Sequence, residues 1–153
     1  MIREAALAEA EAITALINRA FQVEKFFVDG DRIGVDEVRS RFATGVFLIT
    51  EEDGSMAACV YVELRGERGY FGLLSVEPAR QGSGIGSRMV DAAEEYCRAR
   101  GCRFMDLQVV NLREELPGYY ERRGYVGTIR APFPSNVRTK LPCHFICMSK
   151  PLG

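Results

Sequence analysis

Residues 76–86 read Val-Glu-Pro-Ala-Arg-Gln-Gly-Ser-Gly-Ile-Gly. A glycine-rich turn lets successive backbone N–H groups point into one concavity and lets a ligand approach closely. A helix that follows directly adds unpaired N–H groups and the positive end of its dipole. The chemistry this suggests is the cradling of a diphosphate at the turn and the start of the helix. A P-loop would need Lys and then Ser or Thr after its last glycine, but Ser87-Arg88 stands there. A dinucleotide fold wants G-x-G-x-x-G early in a parallel β-α-β unit, whereas Gly82, Gly84 and Gly86 alternate and follow an antiparallel meander.

A second group of reactive side chains lies at Tyr119-Tyr120-Glu121-Arg122-Arg123-Gly124-Tyr125. A phenol can deliver a proton to a leaving group. Glu63 shares one face of a strand with Cys59 and Tyr61 and is a candidate base, acting through water; a solvated strand-end carboxylate is the alternative. His144 is the single histidine and reads as structural. Cys143 and Cys147 fall on one strand face, which suggests packing. No set of His, Cys and carboxylates has metal-ligand spacing, so no metal is expected.

These groups need a scaffold, and the periodicities supply one. Strands are expected at 2–5, 46–50, 56–64, 70–76, 104–110, 125–129 and 144–149, and helices at 7–21, 36–42 and 85–100. Pro117 opens a further short helix that Gly124 ends. Asp53-Gly54 makes a hairpin turn. The helix between 70–76 and 104–110 makes those two strands parallel neighbours. The order is β-α-α-β-β-β-α-β-α-β-β: an α/β (α+β) mixed sheet in which an antiparallel meander leads into a central β-α-β unit. With 153 residues and no linker-like stretch, one domain spanning 1–153 is expected.

Lys plus Arg number 20 and Asp plus Glu 21, a near-balance that argues against nucleic acid as partner. No apolar run approaches the ~20 residues of a membrane span. Five cysteines, an odd number, suit a reducing cytoplasm better than a disulfide framework.

Gln81-x-x-Gly84-x-Gly86 after a strand ending Val76-Glu77-Pro78 resembles the acyl-CoA signature of the GCN5-related N-acetyltransferases, the GNAT superfamily. Tyr120-Glu121-Arg122-Arg123-Gly124-Tyr125 is similar to that family's Tyr-Glu-Lys-x-Gly-Phe pattern, and Asn111 to its asparagine after the fifth strand. The stretch from Asn111 to Tyr120 is longer than the family's, which leaves Tyr119 as an alternative functional ring.

The resemblance implies a single-domain acetyl-CoA-dependent N-acetyltransferase acting by direct attack of a primary amine on the thioester. The pyrophosphate would sit on the amides of Gln81, Gly82, Ser83, Gly84, Ile85, Gly86 and Ser87; the pantetheine would pair with the backbone of Leu74 and Val76 and meet Asn111, and the Val76 N–H would face the oxyanion. Tyr120 would protonate the thiolate. Arg80, Arg88, Arg122 and Arg123 are candidates for the 3′-phosphate. A carboxylate that some members carry on the fourth strand falls here at Gly72, which leaves Glu63 as the candidate base.

By the same resemblance the acceptor pocket lies between 21–32, which is aromatic and acidic, and 131–144, which carries Arg138 and Lys140. A small-molecule or amino acid-like amine suits both. A protein or peptide acceptor and a non-catalytic CoA-binding regulatory module are the alternatives, and a homodimer is the family analogy.

Overall fold

The computed structural model describes residues 1–135 and 137–153. Seven strands form one sheet: β1 (Ile2–Glu4), β2 (Val46–Glu52), β3 (Ser55–Arg65), β4 (Arg68–Val76), β5 (Phe104–Val110), β6 (Val126–Pro132) and β7 (His144–Pro151). Their spatial order is β1-β2-β3-β4-β5-β7-β6, and only the β4–β5 pair is parallel. Four helices accompany them: α1 (Ala10–Ala20), α2 (Val35–Arg41), α3 (Ile85–Ala99) and α4 (Glu115–Glu121). The order of elements is the one the periodicities predict. The strands at 46–50, 56–64, 70–76 and 144–149 each extend further than their apolar runs, because hydrogen-bonded pairing continues into polar ends such as Glu52 and Arg65.

Both faces of the sheet are covered, so β3 is buried from Ala57 to Val62 without alternation. On one face α3 packs Ile85, Met89, Val90, Ala93 and Cys97 against Val60, Val62 and Phe71. On the other, α1 and α2 pack Ile13, Leu16, Ile17 and Val38 against Phe47, Ile49, Cys59 and Tyr61. The first helix begins as a 3-10 turn at Leu7–Glu9, where Glu9 accepts from the Ala6 N–H and from Arg3.

The feature that makes a site is the parting of β4 from β5. Their ladder has only three register pairs, Arg68 with Phe104, Gly69 with Met105 and Tyr70 with Asp106. At that last pair the Arg68 guanidinium grips Asp106 with two bonds of 2.8 and 2.7 Å, and Ser149 of β7 donates to the same carboxylate. Beyond it the strands separate.

The cause lies within β4. Cys59 faces Ser75 and Tyr61 faces Gly72, so Leu73 and Leu74 together stand against Val60 alone. This is a β-bulge, and it bends the strand that carries it. Leu73 takes φ of 55°, a left-handed conformation that costs a non-glycine residue about 1–3 kcal/mol. Packing of the Leu73 side chain into the α1/α2 face holds it there.

Candidate active site

The turn before α3 presents a row of free donors. Among the described residues, the amides of Gly82, Ser83, Gly84, Ile85, Gly86 and Ser87 have no acceptor, and intrahelical bonding resumes with Arg88 N to Gly84 O at 3.2 Å. Gly82 and Gly84 sit at φ of 87° and 84°, and a Cβ at either would enter open space in a backbone conformation that L side chains rarely adopt. These glycines therefore serve the direction of the amides rather than the packing of the helix. The row fits an anionic ligand of pyrophosphate size. Ser83 turns its hydroxyl back to the Arg80 carbonyl at 2.7 Å, so its contribution to the row is its amide.

The gap between β4 and β5 opens into a cavity of about 540 Å³ that reaches from this turn through the sheet to the α1/α2 face. Leu74, Val76, Gln81, Gly82, Gly84, Ile85, Gly86 and Ser87 all line it. Glu77 N donates to Ala57 O at 2.8 Å, which makes Ala58 and Val76 a non-bonded pair of the ladder. The N–H and C=O of Val76 therefore point away from β3, toward the gap. The Gln81 side chain donates from Nε2 to that carbonyl at 3.3 Å, while its backbone N–H goes to Pro78 O at 3.5 Å.

Tyr120 lines the same cavity from α4. Its ring is held edge-on by Tyr119 and Tyr125 and tilted against Phe71, with centroids 5.0, 5.8 and 6.0 Å away. Its hydroxyl has no hydrogen-bond partner among the described residues. Burial pushes the Tyr120 phenol well above its ordinary value, and the neighbouring Tyr119 adds to this. The group is thus a fixed, protonated donor facing the gap. Tyr119 differs, because its hydroxyl pairs with Ser87 Oγ at 2.9 Å. Tyr125 is committed too, donating to Glu94 at 2.7 Å.

Two residues singled out in the sequence lie elsewhere. Glu63 is absent from the cavity lining. Tyr61 and Arg65 both donate to its carboxylate. Burial works against its charge, but those two bonds outweigh burial and hold the carboxyl below the ordinary glutamate range. Asn111 is absent from the lining as well. Its side-chain oxygen accepts from His144 N at 2.8 Å and its own N–H donates to His144 O at 2.9 Å, so it anchors the start of β7 to the end of β5. His144 has that structural place, and Cys143 lies in the small cluster around Phe27 and Val110. Arg80 reaches Glu52 and Asp53, Arg88 reaches Glu52, and Arg123 reaches Asp91. The Nε of Arg123 is buried with no acceptor among the described residues.

The carboxylate inside the cavity is Glu24. Among the described residues it is the only Asp or Glu that lines the cavity. The 3-10 turn Phe21–Glu24 after α1 carries it inward, and it accepts from Arg113 at 3.1 Å. Burial raises its carboxyl above the ordinary range, while Arg113 and Arg32 pull it part of the way back. Its position depends on a contact between segments 89 residues apart, so local pattern could mark it only as one acid among several. Among the described residues, no group of three or more His, Cys, Asp or Glu is arranged to hold a metal ion, and no helix is long and apolar enough to cross a membrane.

Residues 10–125 match the Acetyltransferase (GNAT) family. The chain belongs to that family. Three solved structures give the same fold over 100% of this chain. One is the ribosomal-protein-S18-alanine N-acetyltransferase of Escherichia coli, with a TM-score of 0.78 at 15% identity over 94% of that chain. The second is an N-acetyltransferase of Staphylococcus aureus Mu50, with 0.78 at 19% over 98%. The third is the yncA acetyltransferase of Salmonella typhimurium with its cofactor acetyl-CoA, with 0.75 at 19% over 94%. As a GNAT acetyltransferase the chain is an enzyme, and the free amides and the β4–β5 gap lie where its glycine signature runs.

Proposed function

We propose that this enzyme moves an acetyl group from acetyl-CoA to the primary amine of a small molecule. The observation that carries the reading is the row of six unpartnered amides, Gly82 to Ser87, opening directly into the cavity between β4 and β5. The thioester carries the activated acyl group. The amides receive the pyrophosphate, and the open edges of β4 and β5 receive the extended arm.

Each end of the cavity then has its task. On the α1/α2 side Glu24 takes the proton that an amine must lose to attack, and Glu63 is too strongly held by Tyr61 and Arg65 to do so. The Val76 N–H donates to the carbonyl oxygen as charge gathers there. On the α4 side Tyr120 gives its proton to the departing sulfur. The amine gains the acetyl group and loses one proton, and CoA leaves as the thiol.

A small acceptor is favoured by the side chains at the α1/α2 end, where Glu24, Arg32 and Arg41 stand among Phe21, Phe133 and Phe145. Residues 25–29 are laced to 138–140: Lys140 N donates to Phe27 O at 2.7 Å, Asp29 N to Arg138 O at 3.1 Å, and the Lys140 ammonium to Lys25 O at 3.0 Å. The five free cysteines suit a reducing cytoplasm.

Tyr120→Phe tests the reading, with thiol release as the measurement. Turnover with a working amine should fall by about 10²–10⁴-fold, the usual worth of a positioned acid. Acetyl-CoA affinity should hold, because the phenol acts on the transition state. Full turnover in Tyr120→Phe would remove the acid from the scheme, and acetyl-CoA that fails to bind the native enzyme would remove the scheme itself.

A further inference from the structure

The α1/α2 end of the cavity holds more positive charge than its carboxylate can balance. Arg32, Arg41 and Arg113 line it beside Glu24. Arg113 is engaged on both sides, by Glu24 at 3.1 Å and Glu115 at 3.0 Å. Among the described residues Arg41 pairs with one carboxylate, Glu37 one helical turn away at 3.2 Å, a solvent-side pair of the kind that contributes little, and its guanidinium lies over the Tyr61 ring, 5.0 Å from the centre. Arg32 has no carboxylate partner among the described residues, and its guanidinium lies 5.6 Å from the centre of the Phe21 ring.

A third polar group faces the same space. Tyr70 lines the cavity, and its hydroxyl has no partner among the described residues. The ring lies back over Gly72, with the hydroxyl 2.7 Å from where a Cβ at that position would stand. A carboxylate at position 72 and the Tyr70 ring therefore exclude each other. Burial keeps the phenol protonated, and Arg41, Arg65 and Arg32 are near enough to pull against that. The result is a neutral donor beside two available guanidinium groups.

We propose that Arg32, Arg41 and the Tyr70 hydroxyl bind a carboxylate of the acceptor, which is then a free amino acid with an apolar side chain. The proposal rests on the acetyl-transfer reading of the same cavity. Guanidinium groups meet a carboxylate with paired, charge-assisted bonds. Phe21, Leu73, Phe133 and Phe145 offer apolar wall for the side chain. Glu24 faces the same chamber, so one small molecule can present its carboxylate to the arginines and its amine to the base. An amide in place of the carboxylate leaves the partly buried arginines without a counter-charge, and a site built around polar partners discriminates strongly when one is missing.

The test compares free phenylalanine, leucine and methionine with their carboxamides as acceptors. Thiol release gives kcat/KM, and calorimetry gives acetyl-CoA affinity for the native enzyme, Arg32→Gln and Arg41→Gln. At least one free amino acid should exceed its carboxamide by about 10²-fold or more. Arg32→Gln should erase most of that ratio, chiefly through KM, with acetyl-CoA affinity unchanged, and Arg32→Lys should restore part of it. A panel in which no free amino acid outperforms its carboxamide, whether all react or none does, overturns the proposal. So does a ratio that survives both glutamine variants. Failure of the native enzyme to bind acetyl-CoA overturns instead the acetyl-transfer reading beneath it.

Discussion

A carboxylate can take a proton from an amine only if it faces the amine, is ionised, and is not already neutralised by tight partners. Glu24 meets the first condition by lining the cavity, and among the described side chains only Arg113, shared with Glu115, bonds its carboxylate, at one oxygen, whereas Glu63 is held at both; its raised affinity for protons improves it as a base. The sign of its pH effects follows. The neutral form is the one favoured by folding, so its contribution to stability is complete below the unfolded value of ~4.3 and is lost as pH rises through the folded value. Activity runs the other way. Turnover should rise with pH along a limb displaced above the ordinary glutamate range, and Glu24→Gln should lower turnover and abolish that limb. The limb due to the acceptor amine, which in a free amino acid lies above the ~8 of a chain-terminal α-amino group, should remain. A pH profile of kcat/KM for both proteins checks this, and an unchanged acid limb in Glu24→Gln would exclude Glu24 as the base. Sequence pattern pointed instead to Glu63. Alternation does put Glu63 on a face with Tyr61, but it cannot reveal that Tyr61 and Arg65 close over the carboxylate.

At the scale of elements, the site is made by two local departures from regular structure, and they differ in how plainly a sequence announces them. The glycine turn was legible, because Gly82, Gly84 and Gly86 directly before an amphipathic helix have few other uses. The helix itself, Ile85–Ala99, and the strand Phe104–Val110 follow their apolar periodicity closely. The β-bulge was not legible. Leu73 and Leu74 read as two ordinary strand residues, and only the pairing with β3 makes one of them supernumerary. Asn111 illustrates the same limit, since its place after the fifth strand matches the family's asparagine while its bonds go to the backbone of His144. The role of the turn can be checked by Gly84→Glu. A side chain there is strained at φ of 84° and brings a like charge to the amides that would receive pyrophosphate. Acetyl-CoA affinity by calorimetry should fall by at least about 10²-fold, the worth of some 2.7 kcal/mol. The fold should survive, because nothing lies within 4 Å of that Cβ. Unchanged affinity would reduce the turn to a helix cap.

The whole molecule faces a mechanical problem that the site creates. A sheet joined across its middle by three register pairs is weak at the place where the cavity opens. Fasteners on either side offset this. Arg68, Asp106 and Ser149 tie β4, β5 and β7 at the root of the gap. On the α3 face, Glu94 accepts from the Lys150 ammonium of β7 at 3.0 and 3.1 Å and from the Tyr125 hydroxyl at 2.7 Å. Arg98 adds a bond from α3 to Leu152 O at 2.9 Å. Because α3 also packs on β3 and β4, these contacts bind the two halves of the sheet through the helix. Glu94 is buried, so removing its cation leaves an uncompensated carboxylate. Such losses cost about 3–5 kcal/mol, and the partial exposure of Lys150 puts this case near the lower end, at about 3 kcal/mol. Lys150→Ala should therefore lower Tm by roughly 6–12 °C at this chain length. Glu94→Gln combined with Lys150→Ala should recover part of the loss, since a buried amide is easier to satisfy than a buried unpaired charge. A ligand lying across both halves supplies a fastener of its own. Acetyl-CoA at 100 times its Kd adds ~2.7 kcal/mol and should return Lys150→Ala close to the Tm of the free native protein. Thermal unfolding of the three proteins, each with and without acetyl-CoA, measures all of this. A Lys150→Ala protein that melts with the native one would mean that solvent satisfies Glu94 and that α3 needs no tie to β7.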